Sequence, residues 1–176
     1  HAGMVMAKAS TLFEIMSKDK VDPDEMMFHM NNDLYQTKTA GMFVTSILGE
    51  YNLINDEIRW VNAGHQPALV REKSGSYSEF NSSSTPLGVI KHKDKSVYKM
   101  EKIKLNEGRF YVFTDGLSES LNKKGEEIGI EGSIKIIENN FNSDLQKQLK
   151  DVTSETIDTA QNKSLSDDLT LVAVGK

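Results

Sequence analysis

Ile58-Arg59-Trp60-Val61-Asn62-Ala63-Gly64-His65-Gln66-Pro67-Ala68-Leu69-Val70 holds two strand-forming runs around one break. The first run alternates apolar and polar residues, the signature of a half-buried strand. The break at Gly64 to Pro67 is too short for a crossover helix, so the neighbouring strands are expected to be antiparallel. Upstream, Met42-Phe43-Val44-Thr45-Ser46-Ile47-Leu48-Gly49 is rich in β-formers and Asn55-Asp56 supplies a turn. Downstream, Lys73-Ser74-Gly75-Ser76 turns the chain again before Tyr77 and Phe80. The whole stretch reads as an antiparallel meander.

Helices flank it. Residues 3–18 carry Met4, Ala7, Thr11, Leu12, Ile15 and Met16 in a helical stripe. Asp22-Pro23-Asp24-Glu25 opens a second helix, with Asp22 as N-cap and proline at the first helical position. Its apolar face uses Met26, Met27, Met30 and Leu34. Beyond the meander, Ser82-Ser83-Ser84 reads as an exposed loop, and residues 97–105 alternate well enough for a strand. Asn106-Glu107-Gly108 turns into a buried strand over residues 109–114. Helices are expected near residues 130–140 and 143–161, the second using Leu145, Leu149, Val152, Ile157 and Ala160, before a closing strand at 169–174. Helices, strands, helices and a last strand make an α+β sandwich, not alternating βαβ units. No internal repeat or interior linker interrupts the 176 residues, so one domain spans 1–176.

Composition narrows the chemistry. The chain is 38% apolar and 27% charged, as in an ordinary globular protein. No stretch approaches the roughly 20 apolar residues of a membrane span, so no membrane contact is expected from this segment. With no basic apolar leader, a cytoplasmic location is expected. Cysteine is absent, which excludes disulfides, thiolate metal sites and a cysteine nucleophile. Net charge is −5, with only short basic clusters such as Lys91-His92-Lys93, which argues against a nucleic-acid partner. Of eight methionines, Met4, Met6, Met16, Met26 and Met27 fall in the opening stretch. They read as core filler on two helices, or as an adaptable partner surface.

Three carboxylates stand at strand ends. Tyr111-Val112-Phe113 runs into Thr114-Asp115-Gly116, and Asp167-Asp168 opens Leu169-Thr170-Leu171-Val172-Ala173-Val174. A turn aspartate before glycine is commonplace, and acids are frequent at helix-to-strand junctions. Neighbouring strands could nevertheless bring these acids over one cleft, where a hard divalent cation would relieve the repulsion between Asp167 and Asp168. Gly116 is read as letting the chain turn away from Asp115. Asn62-Ala63-Gly64-His65 is read as a tight turn in which Gly64 takes positive φ and His65 hydrogen-bonds the loop, in preference to a ligand or acid role for His65.

Together these segments resemble a known family. Thr114-Asp115-Gly116 followed by Glu119, Asn122 and Gly125-Glu126 is similar to the "TDG…E…N…GE" run of bacterial SpoIIE/RsbU-type serine phosphatases, in the protein phosphatase 2C superfamily. Met42-Phe43-Val44-Thr45, Trp60 to Pro67 and Pro86-Leu87-Gly88 occur in that family's order, and Asp167-Asp168-Leu169-Thr170 matches its closing "DDxT". The resemblance covers essentially the whole chain. It implies an α-β-β-α sandwich of antiparallel sheets flanked by helices, lacking its first strands. It also implies two Mn²⁺ or Mg²⁺ ions activating a water against phosphoserine or phosphothreonine. Asp115 and Asp167 would be catalytic metal ligands close enough to share a cation, and Asp168 an auxiliary metal-site acid. The family's bridging Asp would fall four residues before His1, so this chain by itself is expected to be metal-poor and nearly inactive. Implied partners are a phosphorylated regulatory protein of the anti-sigma-factor-antagonist type and an upstream sensor domain. An unpaired sheet edge would favour a homodimer. The alternatives are a non-catalytic phosphatase-like binding module and, least favoured, a metal-dependent hydrolase of small molecules.

Overall fold

A computed structural model describes residues 2–37, 41–159 and 167–175. The chain forms two compact units, each discontinuous in sequence: His1–Pro67 with Asn81–Lys104, and Ala68–Phe80 with Leu105–Lys176.

The first unit carries α1 (Ala2–Lys18), α2 (Pro23–Gln36) and a sheet of β1 (Ser46–Asn52), β2 (Glu57–Ala63) and β5 (Glu101–Lys104), in the antiparallel order β1-β2-β5. Proline starts α2 as expected, and Met26, Met27, Met30 and Leu34 are all buried. Asp22 has the extended N-cap backbone but makes no side-chain cap. Its carboxylate instead takes Arg59 Nη1 at 2.9 Å, while Glu50 takes Arg59 Nη2 at 2.6 Å. These methionines pack with Val61, Ala63, Leu87 and Tyr98, so the core-filler reading holds for α2. Each such side chain contributes about 1.5–3 kcal/mol by leaving water. Met4 and Met6 on α1, by contrast, are exposed.

Among its described residues the second unit carries a sheet in the order β4-β3-β6-β7 and three helices. Its strands are β3 (Ala68–Arg71), β4 (Tyr77–Phe80), β6 (Arg109–Phe113) and β7 (Leu171–Gly175). Its helices are α3 (Asp115–Ser118), α4 (Gly129–Asn139) and α5 (Leu145–Thr159). Leu69, Tyr111, Phe113, Leu117, Ile136, Ile137 and Val152 form its core.

Several expectations are corrected. The meander is two hairpins, β1–β2 and β3–β4, because β2 and β3 belong to different sheets. The run 42–49 begins its ladder only at Ser46, since Val44 pairs instead with Leu87 as an isolated bridge. The expected strand over residues 97–105 shrinks to the short β5, and Val97 instead ends a 3-10 turn at Lys95–Val97. On α5, Ile157 is exposed and the buried positions are Gln148, Val152 and Thr156; Ala160 lies outside the described residues. Gln148 is buried because β6 presents polar groups to it. Its Oε1 accepts from Arg109 Nη1 at 2.5 Å and Tyr111 Oη at 3.2 Å, and its Nε2 donates to Ile137 O. Arg109 also donates to the carbonyls of Asn142 and Ser143, so its buried guanidinium has three oxygen partners.

Glu138 on α4 grips Arg71 on β3 through two hydrogen bonds, 2.6 and 2.8 Å, and accepts from Tyr77 Oη at 2.9 Å. The Arg71 guanidinium also lies 3.7 Å from the centre of the Phe141 ring. The Arg71 hydrogen bonds hold the Glu138 carboxyl below its ordinary pKa. A carboxyl depressed in the folded state contributes stability present above its unfolded pKa and lost as pH falls through the folded pKa. Urea midpoints measured from about pH 7 down to about pH 3 should therefore fall less steeply in Glu138→Gln than in the parent. The difference is modest because the Glu138 side chain is partly exposed to screening solvent. Parallel curves would refute the linkage.

Candidate active site

Asp115 and Asp168 are brought together by the end of one strand pair. β6 and β7 run antiparallel in register Tyr111↔Ala173, Val112↔Val172, Phe113↔Leu171. Past the last ladder pair, Thr114 continues the attachment with both main chain and side chain. Its N–H donates to Thr170 O at 3.0 Å. Its hydroxyl donates to Asp168 O at 2.9 Å and accepts from Thr170 N–H at 2.8 Å. One threonine thus holds the Asp168–Thr170 main chain beside the start of α3.

Gly116 makes the approach possible. A Cβ there would lie 2.5 Å from Asp168 O, 2.8 Å from Asp168 C and 3.1 Å from Leu169 Cα. Gly116 is helical and is not among the glycines with positive φ. The expected role in turning the chain is therefore corrected: Gly116 serves close packing of the Asp168 main chain. Asp115 is the first residue of α3, where its carbonyl accepts from Glu119 N–H at 2.7 Å. Ser120 anchors the same turn through its hydroxyl to Gly116 O.

The three acids differ in setting. Asp115 is half-buried, and Asp167 and Asp168 are exposed. Asp167 Oδ1 accepts from Asp168 N–H at 2.7 Å, which orients that carboxylate. Among the described residues, no hydrogen bond engages the carboxylates of Asp115 or Asp168. Their hard oxygens are the donor type that Mg²⁺ and Mn²⁺ prefer. The donor number falls short: among the described residues no group of three or more acids or histidines is placed to hold a metal ion.

Other motif residues make hydrogen bonds and packing contacts within their own loops. Asn122 Oδ1 accepts from the N–H groups of Lys124 and Glu126, and its Nδ2 donates to Glu126 Oε2. Gly125 provides the positive φ that closes this turn. Gly64 also has positive φ, as expected, and Pro86 packs where its side chain would be. In the Asn62–Pro67 loop, His65 Nδ1 meets exposed Thr45 Oγ1 at 3.2 Å. The main tie is Asn62, which is buried. Its Oδ1 accepts from His65 N–H at 2.9 Å and its Nδ2 donates to Gln66 O at 3.0 Å. Ser82 is no plain loop residue: its hydroxyl accepts from Gly64 N–H at 2.6 Å and donates to Asn62 O and Ser84 O. Asn62→Ala should therefore lower the unfolding free energy by about 2 kcal/mol, and His65→Ala by about 1 kcal/mol or less. Urea titration checks the order, and a larger loss for His65 would overturn it.

The match to known families extends over residues 1–176, against stage II sporulation protein E. The chain belongs to the SpoIIE family. It is 24% identical over 177 aligned residues to the phosphoserine phosphatase RsbU of Bacillus subtilis, covering 98% of this chain and 51% of RsbU. It is 28% identical over 93 residues to the phosphoserine phosphatase RsbP of the same organism, covering 53% of this chain and 23% of RsbP. The chain thus spans about half the length of RsbU. Among solved structures, the phosphatase 2C domain of Bacillus subtilis SpoIIE with a fragment of its regulatory domain superposes with TM-score 0.81 at 18% identity, over 98% of this chain and 50% of that one. The same phosphatase domain presoaked with Mn gives 0.64 at 18% identity, over 95% and 72%. RsbX in complex with magnesium gives 0.66 at 15% identity, over 98% and 72%. These likenesses carry the fold: mixed helices and antiparallel sheets of the phosphatase 2C type, as expected.

Proposed function

We propose that residues 1–176 act as one SpoIIE/RsbU-type phosphatase domain that hydrolyses phosphoserine or phosphothreonine on a regulatory protein. The observation that supports it most is the Thr114 tie, which sets Asp115 and the Asp167–Asp168 pair at one strand-pair end. Family membership supports the reaction class. Asp115 and Asp167 are the proposed catalytic ligands, with Asp168 as a further metal-site acid. A bound Mn²⁺ or Mg²⁺ would supply Lewis acidity and a water of lowered pKa. The chain's own residues do the positioning: Thr114 fixes the spacing, Gly116 admits the approach, and the Asp168 N–H orients Asp167. Because Asp115, Asp167 and Asp168 fall short of a complete donor set, further oxygen donors from outside these residues belong to the proposal. A cytoplasmic phosphoprotein of the anti-sigma-factor-antagonist type, an upstream sensor domain and self-association are part of the same reading.

The short donor count is the one observation that favours the runner-up, a non-catalytic phosphatase-like binding module. The two readings separate in one experiment. This chain and a version extended upstream are assayed on a phosphoserine peptide with millimolar Mn²⁺. The phosphatase reading expects the extended chain to turn over and residues 1–176 alone to be nearly inactive. Equal turnover would show the donor argument wrong, and no turnover from either would favour the binding module.

A further inference from the structure

The β1–β2 hairpin ends in an apolar tip. Asn52↔Glu57 is its last ladder pair, and residues 53–56 make the loop. Within that loop the consecutive Leu53 and Ile54 are 72% and 95% exposed. The turn itself does not need them. Only Asp56 in it is left-handed, at φ +56°, a conformation that aspartate tolerates. Polar side chains hold the loop. Asn52 Oδ1 accepts from Ile54 N–H at 2.9 Å and from Asn55 N–H at 3.3 Å. Tyr51 Oη donates to Asp56 Oδ1 at 2.6 Å. Two large apolar side chains are thus presented on a main chain fixed in advance, which lowers the ordering cost of a contact.

The same unit carries a pocket of about 480 Å³. Phe13 of α1, Val21, Met26 of α2 and Leu48 of β1 supply its apolar wall, and the paired Glu50 and Arg59 border it. Phe13 is 46% exposed, so the wall opens to solvent. The volume lies in the range of about 300–1,000 Å³ in which pockets bury compact, mainly apolar groups. Among the described residues β1 is an edge strand, and it reaches the tip three residues after Glu50. At the strand rise that is about 10 Å. The tip cannot fold back into its own pocket, because β1 is laddered to β2 over all of Ser46–Asn52. A second copy can supply the same tip. Because tip and pocket are neighbours on one edge, a two-fold axis between two copies lets each fill the other, which closes the assembly at a pair.

We infer that the Leu53–Ile54 tip of one copy seats in the pocket beside Phe13 and Leu48 of a second copy, and that the second copy returns the contact. Each copy carries −5, so the average field opposes the pairing and apolar burial drives it. The contact names a surface for the self-association proposed above, apart from any sheet edge. It lies wholly within the first unit and does not depend on the phosphatase reading.

The test is sedimentation velocity of residues 1–176 over a range of concentrations. The parent should reach a reversible dimer and nothing larger, and added salt should tighten it by screening the like charges. Leu53→Ser with Ile54→Ser should raise the dissociation constant by about tenfold or more. Ser17→Phe, at an exposed α1 position that lines the pocket, should fill the pocket and weaken the dimer as much. Ile157→Ser on α5, which also removes an exposed apolar side chain, should shift it less than about twofold. Mixing decides the geometry. The tip variant keeps its pocket and the Ser17→Phe variant keeps its tip, so the mixture can form one of the two contacts. With one variant fluorescently labelled, the mixed pair should be tighter than either variant with itself. No recovery on mixing would overturn the exchange, and species growing beyond the dimer would replace it with a head-to-tail chain. A dimer that neither variant weakens would move the contact to another surface and leave self-association standing. A monomer at every concentration would overturn both. Tip-dependent binding to phosphatidylcholine vesicles by such a monomer would assign the tip to a membrane contact instead.

Discussion

Asp115→Asn should lower Mn²⁺-dependent hydrolysis of a phosphoserine peptide by about a hundredfold or more. The expectation applies to the upstream-extended chain, from which the proposal above draws its further oxygen donors. The substitution keeps size and shape and removes one negative charge, so it weakens the hold on a hard cation. Stability should change little. Among the described residues the Asp115 carboxylate accepts no hydrogen bond, while its carbonyl, which Asn retains, accepts from Glu119 N–H. An unfolding free energy within about 0.5 kcal/mol of the parent is therefore expected. Unchanged turnover at saturating Mn²⁺ would remove Asp115 from the site. A large loss of stability would mean that its role is in folding.

Gly116→Ala should damage the same site through packing alone. The new methyl would meet main-chain atoms of Asp168 and Leu169, the nearest at 2.5 Å, and main chain cannot swing aside as a flexible side chain can. Relieving the clash requires about 1 Å of movement in the 168–169 segment, with an overpacking cost of about 1–3 kcal/mol. That movement stretches both hydrogen bonds of the Thr114 hydroxyl, to Asp168 O and from Thr170 N–H. A misplacement of about 1 Å at reacting groups can cost about a hundredfold in rate. Faster amide exchange at Thr170 together with the loss of turnover would locate the damage. Full turnover in a stable Gly116→Ala chain would show that the spacing between Asp115 and Asp168 is not used.

Much of this arrangement was legible in the residue order. Pro23 after Asp22, the Met26–Leu34 stripe and the apolar run into Thr114 are local signals, each set by backbone preference and periodicity over a few residues. They led to α2 and β6 nearly at their observed bounds. The acids at strand ends were visible for the same reason, since an apolar run that stops at a carboxylate marks where a strand leaves the core. Thr114 was quoted with its motif, yet its double hydrogen bond could not be read, because its partners lie more than fifty positions away.

By itself, then, the sequence determined where the longer helices and most strands lie, where the acids stand, and which family order the motifs follow. Only the tertiary structure decided that β2 and β3 part into different sheets, that Gln148 is buried beneath Arg109, and that Gly116 is needed for Asp168 rather than for its own turn. The division has one physical cause. Propensity and periodicity act between neighbours in the chain. Sheet choice, satisfaction of a buried guanidinium and the clearance beside a glycine are set by atoms that sequence distance does not bring together.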